Sequence, residues 1–497
     1  MRTKIRNGAA TNISTAILRL TFLIITIANG LVFSQQISDA LRVSRQGLQF
    51  NARALSLGNA YSTIGNDFSA LRFNPATMAL SDKAGYTVTW ITTAFKSSSD
   101  YYGTHTEFTT TSTPTGQIGL TLPFRLGETK NLAIGMGYTQ SKDFDLGYKY
   151  AGLNGGSLSF TQVLAERADP TARALGLSYP AFDASGNYLG DHTVLGPNMY
   201  EQGYLLDEGG LKHYSFGLSV EAVHNIFFGI SGSYNSGHYT SDLELSVADV
   251  NDAYPAGVLT VPGEAQTEGF VGADLRIVRN KQYQGWDVRF GTLFKLANFI
   301  GVSASFKVPS SHKVDEVFFV RGMSQFASNR SLAVPETEST SLYHFTPPSE
   351  LTVGGMVNLW IITGTAEATY VDYSTMKITS GVGDLPDQTE INKRIQEELS
   401  AVLNLNAGAE FRLPFTGLSA RAGGIYQPSP YGEDSSRYGQ KFLTAGVGIN
   451  SSNMFHFDVG YAYGWRGENK NQQTDNDSGS EQTIAYHNLL FTLKFTP

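Results

Sequence analysis

Nine histidines are the natural place to look for chemistry in this 497-residue chain. None of them pairs in an HExxH or clusters at metal-ligand spacing. No GxSxG nucleophile elbow and no phosphate-cradling GxxxxGKS loop occurs. Gly446-Val447-Gly448 lacks the third glycine of a dinucleotide loop and reads as part of a strand. With no Cys, thiolate catalysis and Cys-ligated metals are excluded. His456 and Asp458 share one face of a strand, and polar filling of an interior accounts for them without catalysis. An enzyme, a metal centre and a cofactor are therefore not expected. A second set of residues says more. Arg289, Lys307, Glu367, Glu410, Arg412, Arg421 and Asp458 all fall on the inward phase of alternating stretches. They form either a mixed-sign network that satisfies its own buried charges, or a site where a cation holds an amphipathic ligand's carboxylate. Arg289, Lys307 and Arg421 are the candidates for that second role.

The elements that must position these charges are strands. Alternation of period two begins at Gly85 and recurs to the end of the chain. Pairs of stretches meet at short turns: Arg125–Lys130, around His224, Ala297-Asn298, near Leu359, Pro414–Gly417 and Asn450–Asn453. Longer polar segments separate the pairs. The count is about fourteen strands, with the short turns on one edge and the long loops on the other. A soluble sandwich has no reason for that asymmetry, whereas a transmembrane barrel requires it.

The faces agree. Phe455, Phe457, Val459, Tyr461 and Tyr463 alternate with His456, Asp458, Gly460 and Ala462. Trp286, Val288, Phe290 and Phe294 alternate with Asp287, Arg289, Gly291 and Lys295, and the closing strand repeats the pattern through Leu489, Phe491, Leu493 and Phe495. The apolar phase would face lipid and the polar phase a lumen. Charged residues make up only 16% against 12% aromatic, which suits a lipid-facing exterior and equally a secreted β-protein, and the loop pattern decides between the two. A net charge of −8 with no basic run argues against nucleic acid.

Ahead of the strands, Met1–Ser34 reads as a secretory leader, with Arg2, Lys4 and Arg6 before an apolar run, and a cut before Gln35. Arg19 leaves Leu20–Ala28 too short to span a bilayer. Residues 35–84 form a separate compact piece rich in small residues, with a stop at Asn74-Pro75. The chain thus divides into a leader (1–34), a hatch or plug (35–84) and a barrel (85–497).

GNAYSTIGNDFSALRFNPATMA within that plug resembles the N-terminal hatch of the FadL-type outer-membrane transporters of hydrophobic compounds. The likeness continues collinearly through GWDVRFGTLFKLANFIGVSASFKVP, TPPSELTVGGMVNL, TAEATYVDYSTMK and LSARAGGIYQPSP. The long loop before Gly210 does not align with the family's pattern, and Thr496-Pro497 after the terminal aromatic Phe495 is a small departure. The resemblance implies an all-β, antiparallel barrel with the hatch inside its lumen, in the bacterial outer membrane and acting as a monomer. It implies passive uptake of hydrophobic molecules such as long-chain fatty acids, with release into the membrane gated by the hatch. Gly58, Asn74, Pro75 and Ala76 would then set the gate. Relatives of the family also serve as non-transporting outer-membrane parts of protein-secretion machines, and a purely structural barrel is a third reading. The long extracellular loops would dock a protein partner in the second case.

Overall fold

The computed structural model describes residues 29–48, 50–126, 130–156, 158–296, 299–383, 388–450, 454–469 and 480–497. The leader assigned to Met1–Ser34 lies outside them, except that 29–34 open a helix, α1 (Asn29–Ser44).

Fourteen antiparallel staves form one closed sheet. They are β1 (Gly85–Tyr101), β2 (104–126), β3 (130–153), β4 (Tyr200–Val223), β5 (Ile226–Ala248), β6 (Phe270–Leu296) and β7 (300–326). The second half comprises β8 (330–359), β9 (362–383), β10 (Ala401–Arg412), β11 (Leu418–Gln427), β12 (Gln440–Asn450), β13 (Phe455–Asn469) and β14 (Ser480–Phe495). Closure comes from β14 pairing with β1, from Tyr86 opposite Phe495 to Tyr101 opposite Ser480. At the level of the apolar band the described strands each pair on both sides, which is what lets a sheet cross a bilayer. Interruptions in β2, β7 and β8 coincide with Pro114, Pro309 and Pro347-Pro348, where a ladder donor is missing. The described strand ends flank the short connections where the alternation places them.

The staves differ greatly in height. β6 has 27 residues, against 10 in β11. On β6 the outward residues switch character at Trp286. Trp286, Val288, Phe290, Phe294 and Leu296 are exposed and apolar, whereas Gln284, Gln282 and Asn280 beyond them are exposed and polar. Trp286–Leu296 matches the roughly 9–11 residues that a tilted membrane strand needs. Tyr138, Tyr214, Tyr234 and Trp286 continue that boundary across β3–β6, with ring centroids 5.5, 6.4 and 4.9 Å apart in turn. Tyr86, Phe495 and Phe455 mark the opposite rim. These are the two aromatic girdles of a transmembrane barrel.

The long loops need correcting. Much of 98–112, 246–285 and 321–346 is strand, and it raises β1–β2 and β4–β8 into a wall above the outer girdle. No lipid touches that wall, so the outward phase turns polar and the period-two signal fades. The stretch 146–210 is also ordered. Helix Phe160–Glu166 starts on a Ser159/Gln162 capping box, helix Pro170–Ala174 follows, and Tyr179–Phe182 pairs with Tyr188–His192. Leu164, Leu175, Leu195 and Met199 from this insert pack on Val247, Leu275, Ile277 and Phe326 of the wall. Its neck is closed by backbone bonds from Asn154 N to Met199 O and from Asn198 N to Asn154 O, each 2.8 Å.

Candidate functional site

Residues 50–80 pack against inward-facing residues of the barrel strands, and small residues are what let them fit. α2 (Ala52–Ser56) begins where Asn51 accepts the Ala54 amide at 2.6 Å. The Asn51 side chain also donates to Ser69 Oγ at 2.7 Å and to Asp67 at 3.1 Å, which ties the start of the plug to its middle. α2 ends at Gly58, whose φ of +62° is open to glycine. There the Gly58 amide donates to Thr444 Oγ1 at 3.1 Å, and its Cα lies against the backbones of Ala407 and Gly424.

α3 (Ala70–Phe73) stops at Asn74, which is extended as the following proline demands. Asn74 then caps the 3₁₀ turn Pro75–Leu80 through the Ala76 amide. Its Nδ2 donates to the carbonyls of Ser62 and Thr292, both at 2.9 Å, so one side chain joins two parts of the plug to β6. Pro75 and Ala76 press on Gly229, and Ser219 Oγ donates to Ala76 O at 2.7 Å. The wall supplies glycines where the plug comes closest: Gly291 faces Asn74, Gly423 faces Gly58, and Gly446 and Gly460 face α2. A methyl group at any of these would strike the plug.

The inward charges form networks. Arg53 of the plug grips Glu410 with Nε–Oε2 at 3.0 Å and Nη2–Oε1 at 3.3 Å. Arg421 donates to the same carboxylate at 2.6 Å and to Asp458 at 2.6 Å, and Arg412 approaches Glu410 at 2.9 Å. Arg289 binds Glu350 at 3.0 Å, and Lys307 pairs with the same carboxylate. Glu367 accepts from the Ser62 amide and from Asn406. Arg72 meets Asp287 at 3.1 Å. Each of the three cations singled out from the sequence, Arg289, Lys307 and Arg421, is thus already held by wall carboxylates.

Sequence reasoning missed α1, whose only signal was the helical spacing of Ile37, Ala40 and Leu41. It lies above the outer girdle, between the tall wall and helix Gln388–Glu398, which contributes Ile391 and Ile395 to the same cluster. Asp39 and Lys281, both fully buried, form an ion pair there, and Glu316 lies 3.2 Å from the same ammonium. Burial alone would raise the Asp39 carboxyl; Lys281 and Arg42 outweigh it and hold the group below the usual carboxylate range. Arg42 stacks 3.6 Å from the Tyr239 ring centroid. At the end of α1, Lys142 Nζ donates to the carbonyls of Arg42 and Val43 at 2.9 and 2.8 Å.

Beside that helix end is a cavity of about 320 Å³, bordered by Leu41, Arg45, Phe95, Lys142, Arg466 and Tyr486 among others. A smaller polar cavity of about 80 Å³ lies against Arg72, Asp287, Arg289 and Glu350, at and just inside the level of Trp286. Among the described residues, no cluster of His, Asp and Glu could hold a metal ion. The arrangement is an N-terminal segment packed within the barrel at the level of the apolar band, with a half-apolar cavity above it.

Solved structures share this fold. The P. putida toluene transporter TodX superposes with a TM-score of 0.55 at 14% identity, over 90% of this chain and 99% of that one. A Pseudomonas aeruginosa FadL homologue gives 0.51 at 13%, over 91% and 98%. The Ralstonia pickettii toluene transporter TbuX gives 0.50 at 15%, over 90% and 99%. No protein-family model and no curated protein matches the sequence.

Proposed function

We propose that this chain, folded as the FadL-type transporters are, is a bacterial outer-membrane channel for passive uptake of hydrophobic molecules. One observation carries the reading: the lumen is blocked by a fitted plug at membrane depth, while a half-apolar chamber stands above it. A lumen so filled suits a solute that binds and moves between apolar surroundings better than a water-filled pore. Apolar surface gains about 25 cal/mol per Å² on leaving water, so lipid is the favourable destination. Long-chain fatty acids are the substrate type the hatch motif suggests. Gating falls to the plug's turns at Gly58 and Asn74–Ala76. Because the wall fits them so closely, release proceeds by local rearrangement of those turns, not by expulsion of the plug.

Two measurements on the same protein test this. Cells displaying it should take up a labelled long-chain fatty acid faster than cells without it, and the purified protein in planar bilayers should pass little ionic current. Deleting Gln35–Ala79 should raise the current sharply. Absence of hydrophobic uptake at full surface expression would overturn the proposal. A stable protein partner co-purifying with a non-transporting barrel would point to the secretion-machine reading.

A further inference from the structure

Three polar side chains that uptake does not use meet on the inner face of neighbouring staves, beside the outer girdle. Ser141 of β3, His213 of β4 and Asn235 of β5 are all buried. Ser141 Oγ lies 2.6 Å from His213 Nε2, and His213 Nδ1 lies 2.5 Å from Asn235 Oδ1. The first pair is 72 residues apart and the second 22, so no spacing in the sequence announces them. Their protons can be placed. His312 Nδ1 donates to Ser310 O at 3.0 Å, so its Nε2 is an acceptor, and Asn235 Nδ2 faces it at 3.2 Å. Asn235 Nδ2 also donates to Asp287 at 2.8 Å. The amide is thereby fixed with Oδ1 turned to His213 as an acceptor. His213 carries its proton on Nδ1, which leaves Nε2 to accept from the Ser141 hydroxyl. Nucleophile, base and orienting group stand in the order that activates a serine.

The backbone presents this serine. Gln140 pairs with Lys212 and Lys142 with Leu211, so Ser141 is the extra residue of a bulge, a device that re-aims a side chain. A Cβ at Gly47 would strike the Ser141 carbonyl, so the N-terminal segment holds the bulge in place. Ser141 and Lys142 border both the 80 Å³ and the 320 Å³ cavities, and His213 borders the smaller one. Lys142 donates to the carbonyls of Arg42 and Val43, which leaves it a third N–H next to the serine in the chain.

We propose that Ser141, His213 and Asn235 form a catalytic triad that hydrolyses carboxylic esters with an apolar acyl chain. Ser141 Oγ attacks the ester carbonyl carbon while its proton passes to His213 Nε2, and the third Lys142 N–H supports the oxyanion. Collapse of that intermediate breaks the bond to the alcohol oxygen. The alcohol leaves with the proton from His213, and the acyl group stays on Ser141. A water molecule then gives a proton to His213 and its oxygen to the acyl carbon. The carboxylic acid departs as the His213 proton returns to Ser141, which restores the starting state. Asn235 is a positioning residue, holding the imidazole in the tautomer that can act as base. Leu41, Leu48 and Phe95 of the larger cavity favour an apolar acyl chain. The activity is separate from uptake, and neither requires the other.

The test uses the purified full chain in a non-ionic detergent. Hydrolysis of p-nitrophenyl decanoate would be followed by release of nitrophenolate at pH 8, with Ser141→Ala purified identically as the control for contaminating esterases. The wild type should exceed that variant by about 100-fold or more. Asn235→Ala should lower kcat by about ten-fold with KM within about two-fold, a split that a merely structural role would not produce. A long-chain fluorophosphonate should label the wild type at Ser141, mapped by mass spectrometry, and fail to label protein boiled beforehand. Labelling needs no variant, so a variant that fails the boiling-dependent gel shift leaves the probe to decide. Turnover that survives Ser141→Ala, or a wild type that neither turns over ester nor takes the probe at Ser141, would overturn the triad. Either result would leave the uptake reading standing.

Discussion

Asn74 Oδ1 faces Gly291 so closely that no side chain could be added to the wall residue. The same asparagine donates to Thr292 O at 2.9 Å, so contact and hydrogen bond pin one point of the plug to β6. The plug is therefore keyed to the barrel by shape as well as by polarity.

That keying is testable at the glycine. Gly291→Ala should destabilise the seated plug by about 1–3 kcal/mol, the usual penalty of overpacking. Limited proteolysis in detergent should show faster cleavage of 37–80 while the boiling-dependent gel shift of the barrel persists. An unchanged cleavage rate would mean the seat is looser than its geometry.

Asn74→Ala strands the carbonyls of Ser62 and Thr292 without their donor, at about 1–3 kcal/mol for a buried unsatisfied group. Pro75→Ala removes no hydrogen bond and should cost less. If these residues govern the gate, both variants should change fatty-acid uptake at equal surface expression with barrel melting nearly intact. A stability change with normal uptake would reduce them to turn formers.

Glu410 accepts from Arg53, Arg412 and Arg421 together. Glu410→Gln should leave the partly buried Arg53 guanidinium without its counter-charge, while Arg421 keeps Asp458, and cost about 1–3 kcal/mol. Urea unfolding in detergent would report it as a lower midpoint, with Arg412 contributing little because it is half exposed.

The N-terminal helix should loosen in acid. Asp39 is held below its ordinary value of 3.8, so the unfolded chain binds its proton first as pH falls. The stabilisation is complete above about pH 5 and is lost as pH drops through the lower folded value. Lys281, Arg42, Glu316, Tyr239, Tyr283 and Tyr343 face this carboxylate. Hydrogen exchange of α1 should therefore rise below pH 4 in the native protein and be raised already at pH 7 in Asp39→Asn.

The membrane boundary has its own test. Phe290→Arg, within the lipid-facing band, should cost about 2–4 kcal/mol, whereas Asn280→Arg above Trp286 should be nearly neutral. Equal costs in a refolding titration would place the boundary elsewhere on β6.

What the sequence determined was whatever the bilayer imposes locally. Lipid on one side and lumen on the other force strict alternation, so the faces of Phe455–Tyr463 and Trp286–Phe294, the stave number and the six short turns could be read directly. Asn74-Pro75 also fixed its own conformation, because proline constrains its neighbour wherever it sits. Beyond the outer girdle the signal failed for a physical reason. Wall residues from Asp274 to Gln284 meet water outside, and no hydrophobic period marks their outer face as strand. The sequence placed Arg289, Lys307 and Arg421 inside, yet only the tertiary structure decided which carboxylates hold them. The pair Arg53–Glu410 joins residues far apart in the chain, brought together only when the N-terminal segment enters the barrel.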